Sequence, residues 1–168
     1  MKTIEFAAML KKHKMRHVSA VPDSAIQGII QTLEGDPYFH YAPMNREDNL
    51  ISWAAGLHLA GETPFVMMQN SGIGNMLDAL ISLQMTYRMP LVMLISWRGL
   101  EKKDEVQHWI WGEVQNPILE ATGIPCLVLE RGVRSIESTF EQAVNLAEER
   151  RWPVAVLLRR GNYIDEKN

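Results

Sequence analysis

The sequence predicts an α/β fold in which a doubly wound, largely parallel six-stranded sheet carries helices on both faces. Helical and extended patterns alternate almost from end to end of the 168 residues. Several extended segments are continuous apolar runs, which are typical of strands buried on both faces. Because each strand pattern is separated from the next by a helical segment, the connections must be crossovers, and crossovers join parallel strands.

The first half of the chain contains three predicted strands, at residues 17–21, 38–44 and 63–69. A first helix follows Thr3, a candidate N-cap, and places apolar residues at helical spacing. The second helix begins with the capping-box pattern Ser24-Ala25-Ile26-Gln27 and has Gly35 as its C-terminal stop. The third helix covers residues 46–60 and follows the second strand.

The second half repeats the alternation and supplies three more strands. We predict a helix over residues 75–87, then strands at 91–97, 126–130 and 154–158, with a last helix over 135–150. The segment after the fourth strand is polar and irregular, and we expect only a short helix near residues 117–121 before the fifth strand. No internal repeat or linker interrupts the pattern, so we expect one domain over residues 1–168.

Composition excludes several classes of function. The chain is 46% hydrophobic and 22% charged, with a net charge of −3, as is usual for a soluble globular protein and unlike a nucleic-acid binder. Glu5 stands where a signal peptide would begin its apolar core, and no apolar run approaches the ~20 residues of a membrane span. We therefore expect a cytoplasmic protein that contacts no membrane. The single cysteine, Cys126, lies in an apolar run and is expected to be an inert buried thiol.

Ligands of open parallel sheets bind beyond the carboxyl ends of the strands, so the loops after the strands are where a site is expected. Four of these loops carry polar residues. They cover residues 21–24, 43–47, 69–75 and 96–108. We expect all four to open onto the same edge of the sheet.

Glu47 and Asp23 each have a structural and a functional interpretation. Glu47 opens a helix, and an acidic residue there commonly just complements the helix macrodipole. Asp23 lies in a Pro-Asp-Ser sequence that suits a turn and a helix cap. The loop at 70–75 has two glycines, which allow close approach of the backbone to a ligand, but it lacks the lysine of a P-loop and the spacing of a dinucleotide fingerprint.

The segment at 97–111 combines charged residues with three tryptophans. A solvated loop of mixed charge is one interpretation. An anion clamp is the other, because Arg98 directly follows a buried strand and can present a planar fork of donors to a sulfonate, phosphonate or carboxylate. Lysine or histidine would add charge, and His108 suits proton transfer near neutral pH, although a lone histidine is more often structural.

Taken together, the loop motifs resemble a known group of thiamine-diphosphate enzymes. The motifs are Asn45-Arg46-Glu47 followed by Ala54-Ala55-Gly56, Met68-Gln69-Asn70-Ser71-Gly72-Ile73-Gly74-Asn75, Leu94-Ile95-Ser96-Trp97-Arg98-Gly99, and Lys103-Asp104-Glu105-Val106-Gln107-His108. They are similar to motifs of sulfopyruvate decarboxylase and its close relative phosphonopyruvate decarboxylase. The resemblance runs from about Val21 to Leu129. The glutamate to Ala-Ala-Gly spacing is shared by other thiamine-diphosphate decarboxylases, whereas the other motifs are specific to this group.

The resemblance implies that this chain is the pyrimidine-binding domain of such an enzyme. A second domain in the family holds the diphosphate through Mg²⁺ with a Gly-Asp-Gly motif, which this sequence lacks. The expected partner is therefore a β subunit that carries the motif, in a hetero-oligomer, and no metal ligand is expected on this chain. Phosphonopyruvate decarboxylases commonly carry both halves in one chain, so the short chain favours the α subunit of the sulfopyruvate enzyme.

The resemblance also assigns roles to single residues. Glu47 would hydrogen-bond the aminopyrimidine of the cofactor and so promote loss of the thiazolium C2 proton, with Leu50 and Ile51 helping to keep its surroundings dry. Asp23 and His108 would transfer protons. The cofactor would be lined by Asn70, Ser71 and Gly72. The substrate anion would be bound by Arg98 and His108, with Lys103 or Lys102 as a helper. Arg46, Trp109 and Trp111 depart from the pattern expected of the group.

The reaction implied is the conversion of sulfopyruvate to sulfoacetaldehyde and carbon dioxide, a step of coenzyme M biosynthesis. Phosphonopyruvate, which would give phosphonoacetaldehyde, is the nearest alternative, because sulfonate and phosphonate differ by a charge and a proton. A non-catalytic domain that kept the fold is a further alternative. The presence of Glu47 together with an intact loop at 70–75 argues against it.

Overall fold

The computed structural model describes residues 2–129 and 135–159 and contains one six-stranded sheet. The strands are β1 (His17–Ala20), β2 (His40–Pro43), β3 (Pro64–Gln69), β4 (Leu91–Trp97), β5 (Cys126–Leu129) and β6 (Pro153–Arg159). Their order is β2-β1-β3-β4-β6-β5, and every pairing is parallel. The predicted α/β class is confirmed. Residue 130, predicted to end the fifth strand, and residues 160–168 of the expected single domain lie outside the described residues.

Helices cover both faces of the sheet, as predicted. They are α1 (Thr3–Lys12), α2 (Gln27–Glu34), α3 (Glu47–Leu59), α4 (Ile73–Ala79), α5 (Val106–Ala121) and α6 (Ile136–Arg150). Short 3-10 turns occur at Ser24–Ile26, Asn70–Gly72 and Leu100–Lys102, and α4 continues as a π-helical segment over Leu80–Met85. No helix within the described ranges is long and apolar enough to span a membrane.

The core has two halves, one on each face of the sheet, because successive strand residues point in opposite directions. Phe65 and Met67 of β3 pack with α1, α2 and α6, whereas Val66 and Met68 pack with α3, α4 and α5. All four side chains are fully buried. Burial of such a side chain contributes about 1.5–3 kcal/mol. The continuous apolar run of this strand thus follows from its burial on both faces.

The direction of chain progression through the sheet reverses between β1 and β3. From β1 the chain moves to β2 on one side, and β3 and β4 then extend the sheet on the other side. Ligands of doubly wound folds bind in the crevice at such a reversal, beyond the carboxyl ends of the strands. The four polar loops follow β1, β2, β3 and β4, which are neighbours in the sheet. They open onto one edge, as predicted.

Helix α5 differs most from its prediction, because it begins at Val106 and runs for 16 residues. The sequence pattern predicts an irregular loop for most of this segment, with a short helix only near residues 117–121. The buried positions of α5 include Gly112, Gln115 and Leu119, and only the last is a typical core residue. Pro117 lies inside the helix, on its exposed side, where the carbonyl that loses its partner can face water.

The predicted capping box at Ser24 is wrong. Ser24 begins a 3-10 turn whose N-cap is Asp23, and neither this turn nor α2 has a side-chain cap. The Ser24 hydroxyl instead accepts a hydrogen bond from Arg98 Nη1 at 3.2 Å. Thr3 is likewise the first residue of α1 rather than its N-cap. In this turn, the side chains of Asp23 and Ser24 contact Arg98 and do not cap a helix.

Candidate active site

Two acidic residues open α3, and the structure directs them to different surroundings. Asp48 lies at the surface and accepts hydrogen bonds from Arg46 Nε at 3.1 Å and Nη2 at 2.9 Å. Glu47 is only 7% exposed. Both are close enough to the helix N-terminus to complement its macrodipole. The macrodipole alone therefore does not explain why Glu47, and not Asp48, is buried.

The carboxyl group of Glu47 contacts the start of α4. Asn75 Nδ2 donates a hydrogen bond to Glu47 Oε2 at 2.8 Å. Glu47 also occupies the space above Gly72, where a Cβ would come within 2.5 Å of Oε1. Any larger residue at position 72 would displace the carboxyl group.

The 3-10 turn at Asn70–Gly72 links Glu47 to the end of β4. Asn70 is fully buried, and its amide pairs with the backbone of Arg98 in both directions: Nδ2 donates to the carbonyl at 2.9 Å, and Oδ1 accepts from the amide N–H at 3.3 Å. The Ser71 hydroxyl accepts a hydrogen bond from Gln69 Nε2 at 2.7 Å. Of the three residues predicted to line a cofactor, only Gly72 contacts Glu47, while Asn70 is engaged by the Arg98 backbone.

Arg98 lies between two carboxylates. Its Nε and Nη2 donate to the two oxygens of Asp104 at 2.6 and 2.9 Å, and its Nη1 donates to Asp23 Oδ1 at 2.8 Å. Asp23 Oδ2 accepts a further hydrogen bond from the Ser96 hydroxyl at 2.6 Å. Within the described part of the chain, one N–H of Nη2 is the donor of this guanidinium that has no acceptor. We call the group of Arg98, Asp23, Asp104 and Ser96 the arginine network.

The arginine network is shielded from water, and its single cation contacts two carboxylates. The Asp23 and Asp104 side chains are 4% and 9% exposed, and that of Arg98 is 16% exposed. The Arg98 guanidinium, with help from the backbone N–H groups of Glu105 and Gly99, holds the pKa of Asp104 far below its usual range. The same pairing raises the pKa of Arg98 above that of a free arginine.

His108 lies against the arginine network. Its Nδ1 is 3.2 Å from Asp104 Oδ1, and its side chain is 12% exposed. The loop before it is packed tightly: Gly99 has a φ of 76°, and a Cβ there would overlap the backbone of His108. A Cβ at Gly112 would in turn overlap the backbone of Gly99. The start of α5, with His108, is therefore held against the end of β4.

The two lysines proposed as helpers lie outside this network. Lys103 Nζ contacts Glu101 Oε2 at 2.6 Å, and its side chain is 73% exposed. Lys102 Nζ lies over the ring of Trp109 and 3.9 Å from Glu113 Oε1. Contact of either lysine with a substrate stays a prediction.

The chain matches one protein-family model, described as the thiamine pyrophosphate enzyme N-terminal TPP binding domain, over residues 5–118. This match covers more than half of the chain. The chain belongs to this family.

Relatives within the family agree with the match. The chain is 33% identical over 129 residues to the sulfopyruvate decarboxylase subunit alpha of Methanothermobacter thermautotrophicus, covering 77% of this chain and 74% of that one. It is 30% identical over 150 residues to the phosphonopyruvate decarboxylase of Streptomyces viridochromogenes, covering 89% of this chain but 38% of that enzyme.

Solved structures share the fold of this family member. Benzoylformate decarboxylase from Polynucleobacter necessarius matches the whole chain with a TM-score of 0.76 at 16% identity. A putative thiamin diphosphate-dependent enzyme from Mycobacterium smegmatis matches 97% of the chain with a TM-score of 0.78, also at 16% identity. The chain spans 33% and 31% of those two proteins. At such low identity the likeness concerns the fold alone.

Several residues that hold this family member's candidate site together have no role that the sequence predicts. Asp104, Ser96 and Asn75 lie within the loop motifs, but their pairings form only where the ends of four strands meet. Cys126, expected to be an inert buried thiol, is only half-buried, and burial raises the pKa of its thiol to about 11. Its inertness stays a prediction.

The arginine network makes a prediction about stability. Arg98→Met keeps much of the side-chain length but leaves two shielded carboxylates without their cation, so the free energy of unfolding should fall by about 3–5 kcal/mol. Arg46→Met is the matched control, because Arg46 also pairs with a carboxylate but is 57% exposed, and it should cost less than about 1 kcal/mol. Urea denaturation of both variants measures the difference. Similar losses would show that the arginine network is no more important than a surface ion pair.

Proposed function

We propose that this chain is the pyrimidine-binding α subunit of a thiamine-diphosphate-dependent decarboxylase, which converts sulfopyruvate to sulfoacetaldehyde and carbon dioxide. This reaction would serve coenzyme M biosynthesis. The observation that carries the proposal is the buried carboxyl of Glu47 at the chain reversal of the sheet. The 33% identity to a sulfopyruvate decarboxylase α subunit supports the choice of substrate.

The residues around Glu47 fit the aminopyrimidine of thiamine diphosphate. Glu47 Oε2 accepts from Asn75, whereas Oε1 has no donor among the described residues. Gly72 provides the space in which this carboxyl lies. Glu47 would hold a ring nitrogen of the cofactor through Oε1 and exchange a proton with it. When bound, thiamine diphosphate supplies the activated carbon at C2 and the electron sink that decarboxylation requires.

Asp23 and His108 are the proposed proton-transfer residues on the substrate side. Nδ1 of His108 lies 3.2 Å from Asp104 Oδ1, and Nε2 is the ring atom proposed to exchange a proton with the substrate. Both oxygens of Asp23 accept hydrogen bonds, from Arg98 and from Ser96. A proton passing through Asp23 would therefore move along its contact with the Ser96 hydroxyl.

Arg98 has two proposed roles, positioning of the carboxylates and contact with the substrate anion, and its hydrogen bonds support positioning more strongly. It positions Asp23 and Asp104, which occupy most of its donors. Its one N–H on Nη2 without an acceptor in the described chain is then left for a distal oxygen of the substrate anion. The two adjacent carboxylates outweigh the single positive charge of Arg98, so this contact would act by hydrogen-bond geometry and not by net attraction.

A β subunit is proposed to complete the active site by holding the diphosphate and Mg²⁺ with a Gly-Asp-Gly motif. The relatives from Methanothermobacter thermautotrophicus and Methanococcus maripaludis are both described as subunit alpha, and the chain covers 74% and 84% of their lengths. This chain itself contains no Gly-Asp-Gly sequence. The working enzyme would be a hetero-oligomer.

Phosphonopyruvate is the second candidate substrate. Phosphonopyruvate decarboxylases from two Streptomyces species are each 30% identical to this chain over 150 residues. A phosphonate is also an oxyanion with three terminal oxygens, and the chain contacts described above do not discriminate between the two. Comparing both substrates with the reconstituted enzyme tests the choice directly.

The partner requirement gives the first functional prediction. The isolated chain, supplied with thiamine diphosphate and Mg²⁺, should show no decarboxylation of sulfopyruvate, because the diphosphate site is proposed to lie on the β subunit. Calorimetry should find weak cofactor binding at best. Adding the β subunit should restore carbon dioxide release. Tight Mg²⁺-dependent binding by the isolated chain would refute the two-subunit proposal.

Glu47 gives the second functional prediction. In the assembled enzyme, Glu47→Gln should reduce kcat about a hundredfold or more, as expected for lost acid–base catalysis. Asp48→Asn is the matched control, because it removes the neighbouring acid of the same helix turn and should leave kcat nearly unchanged. Both variants should assemble normally in gel filtration. Equal and small effects would assign Glu47 to the helix macrodipole.

The third functional prediction separates the two roles of Arg98. In Arg98→Lys a positive charge remains between Asp23 and Asp104, but the fork of donors is lost. If Arg98 contacts the distal anion, kcat/KM should fall about thirtyfold more for sulfopyruvate than for pyruvate, which has no distal anion, corresponding to about 2 kcal/mol. Equal losses for the two substrates would leave Arg98 with the positioning role alone.

A further inference from the structure

We infer that Asn75 is a positioning residue that decides which oxygen of Glu47 exchanges a proton with the bound cofactor. This inference rests on the proposed function of Glu47 and adds a residue to which no role has been assigned. Its basis is the contact that distinguishes the two carboxyl oxygens: the Asn75 amide donates to Oε2, whereas the carboxyl as a whole packs against Gly72.

A carboxyl group is symmetric, so its two oxygens are interchangeable unless the surroundings distinguish them. The torsion that exchanges them is broad and roughly two-fold. In this structure Asn75 Nδ2 donates to Oε2 at 2.8 Å. Oε1, together with Cγ and Cδ, lies in the space that a Cβ at Gly72 would fill. The contacts hold the carboxyl in one of its two equivalent orientations.

The chemistry of the amide decides where a proton can reside. An asparagine Nδ2 is a donor only, so the oxygen that it contacts must supply a lone pair. A proton on Glu47 is therefore favoured on Oε1, the oxygen proposed to meet the ring nitrogen of the cofactor. Asn75 loses no proton itself at neutral pH. It acts through Glu47 and is not a catalytic residue.

The side chain of Asn75 makes a contact outside its own helix. Asn75 is an exposed residue in the first turn of α4. Its amide reaches α3, the neighbouring helix. The nearby Asn49 offers a control, because its Nδ2 donates to Asn45 Oδ1 at 3.0 Å, which is a neutral acceptor on the surface.

A double-mutant cycle on the full chain tests the contact without cofactor or activity. Asn75→Leu removes the donor but keeps a branched side chain with the same number of non-hydrogen atoms, and its cost in the unfolding equilibrium constant should be about fivefold larger with Glu47 present than in the Glu47→Gln background. The reason is that hydrogen bonds to charged groups contribute more than neutral ones. Asn49→Leu should show no dependence on position 47. A cost of Asn75→Leu that is equal in both backgrounds would overturn the inference.

Turnover in the assembled enzyme tests the positioning role. We expect Asn75→Leu to lower kcat tenfold or more at nearly unchanged KM for sulfopyruvate, since misplacing a reacting group slows the chemical step. Asn75→Gln, which keeps a donor, should recover part of the loss, and Asn75→Asp should be the slowest because it places a like charge beside Glu47. If position 75 required only a polar surface residue, Asn75→Asp would have a higher kcat than Asn75→Leu. That result would overturn the inference.

The two proposals fail in different ways. If the wild-type complex releases no carbon dioxide from sulfopyruvate, the proposed substrate is wrong, and the double-mutant cycle then decides whether Asn75 orients Glu47. If the wild-type complex is active and Asn75→Leu has wild-type kcat, the positioning role is wrong while the proposed function stands.

Discussion

The candidate site depends on one interaction, the contact of the Arg98 guanidinium with the carboxylates of Asp23 and Asp104. Asp23 follows β1 and Arg98 follows β4, so their contact spans the end of β3, which lies between those strands. Asp104 holds the loop that leads into α5. Because these side chains are shielded from water, removing one partner leaves an uncompensated charge, which is far more costly than breaking a surface pair. The arrangement therefore persists as a unit.

The turn at Asn70–Gly72 couples this unit to the proposed cofactor side. Its first residue pairs with the Arg98 backbone, and its last residue provides the space for Glu47. This short turn therefore contacts both Arg98, on the proposed substrate side, and Glu47, which is proposed to hold the aminopyrimidine. Such preorganisation is what proton transfer requires, because reacting groups must be in place before the chemical step. The glycine at position 72 is a geometric requirement of this arrangement.

The fold could be predicted from the sequence because burial on both faces leaves a direct pattern, as in the apolar run of β3. Helix α5 could not, because its buried face includes Gly112 and Gln115 in place of a regular apolar stripe. The site was predicted only in part. Glu47, Asp23 and Arg98 lie at strand ends, where parallel sheets place their ligands. Their pairing with Asp104, Ser96 and Asn75 depends on contacts between distant segments, which no local pattern records.

The central claim is that Glu47 activates the cofactor in the assembled enzyme. The most direct measurement is the exchange rate of the thiazolium C2 proton with deuterium, followed by NMR in the complete complex with thiamine diphosphate and Mg²⁺. We expect Glu47→Gln to slow this exchange about as much as it slows turnover, and Asp48→Asn to leave it at the wild-type rate. Exchange at the wild-type rate in Glu47→Gln would contradict the claim, because Glu47 would then have no part in activating the cofactor.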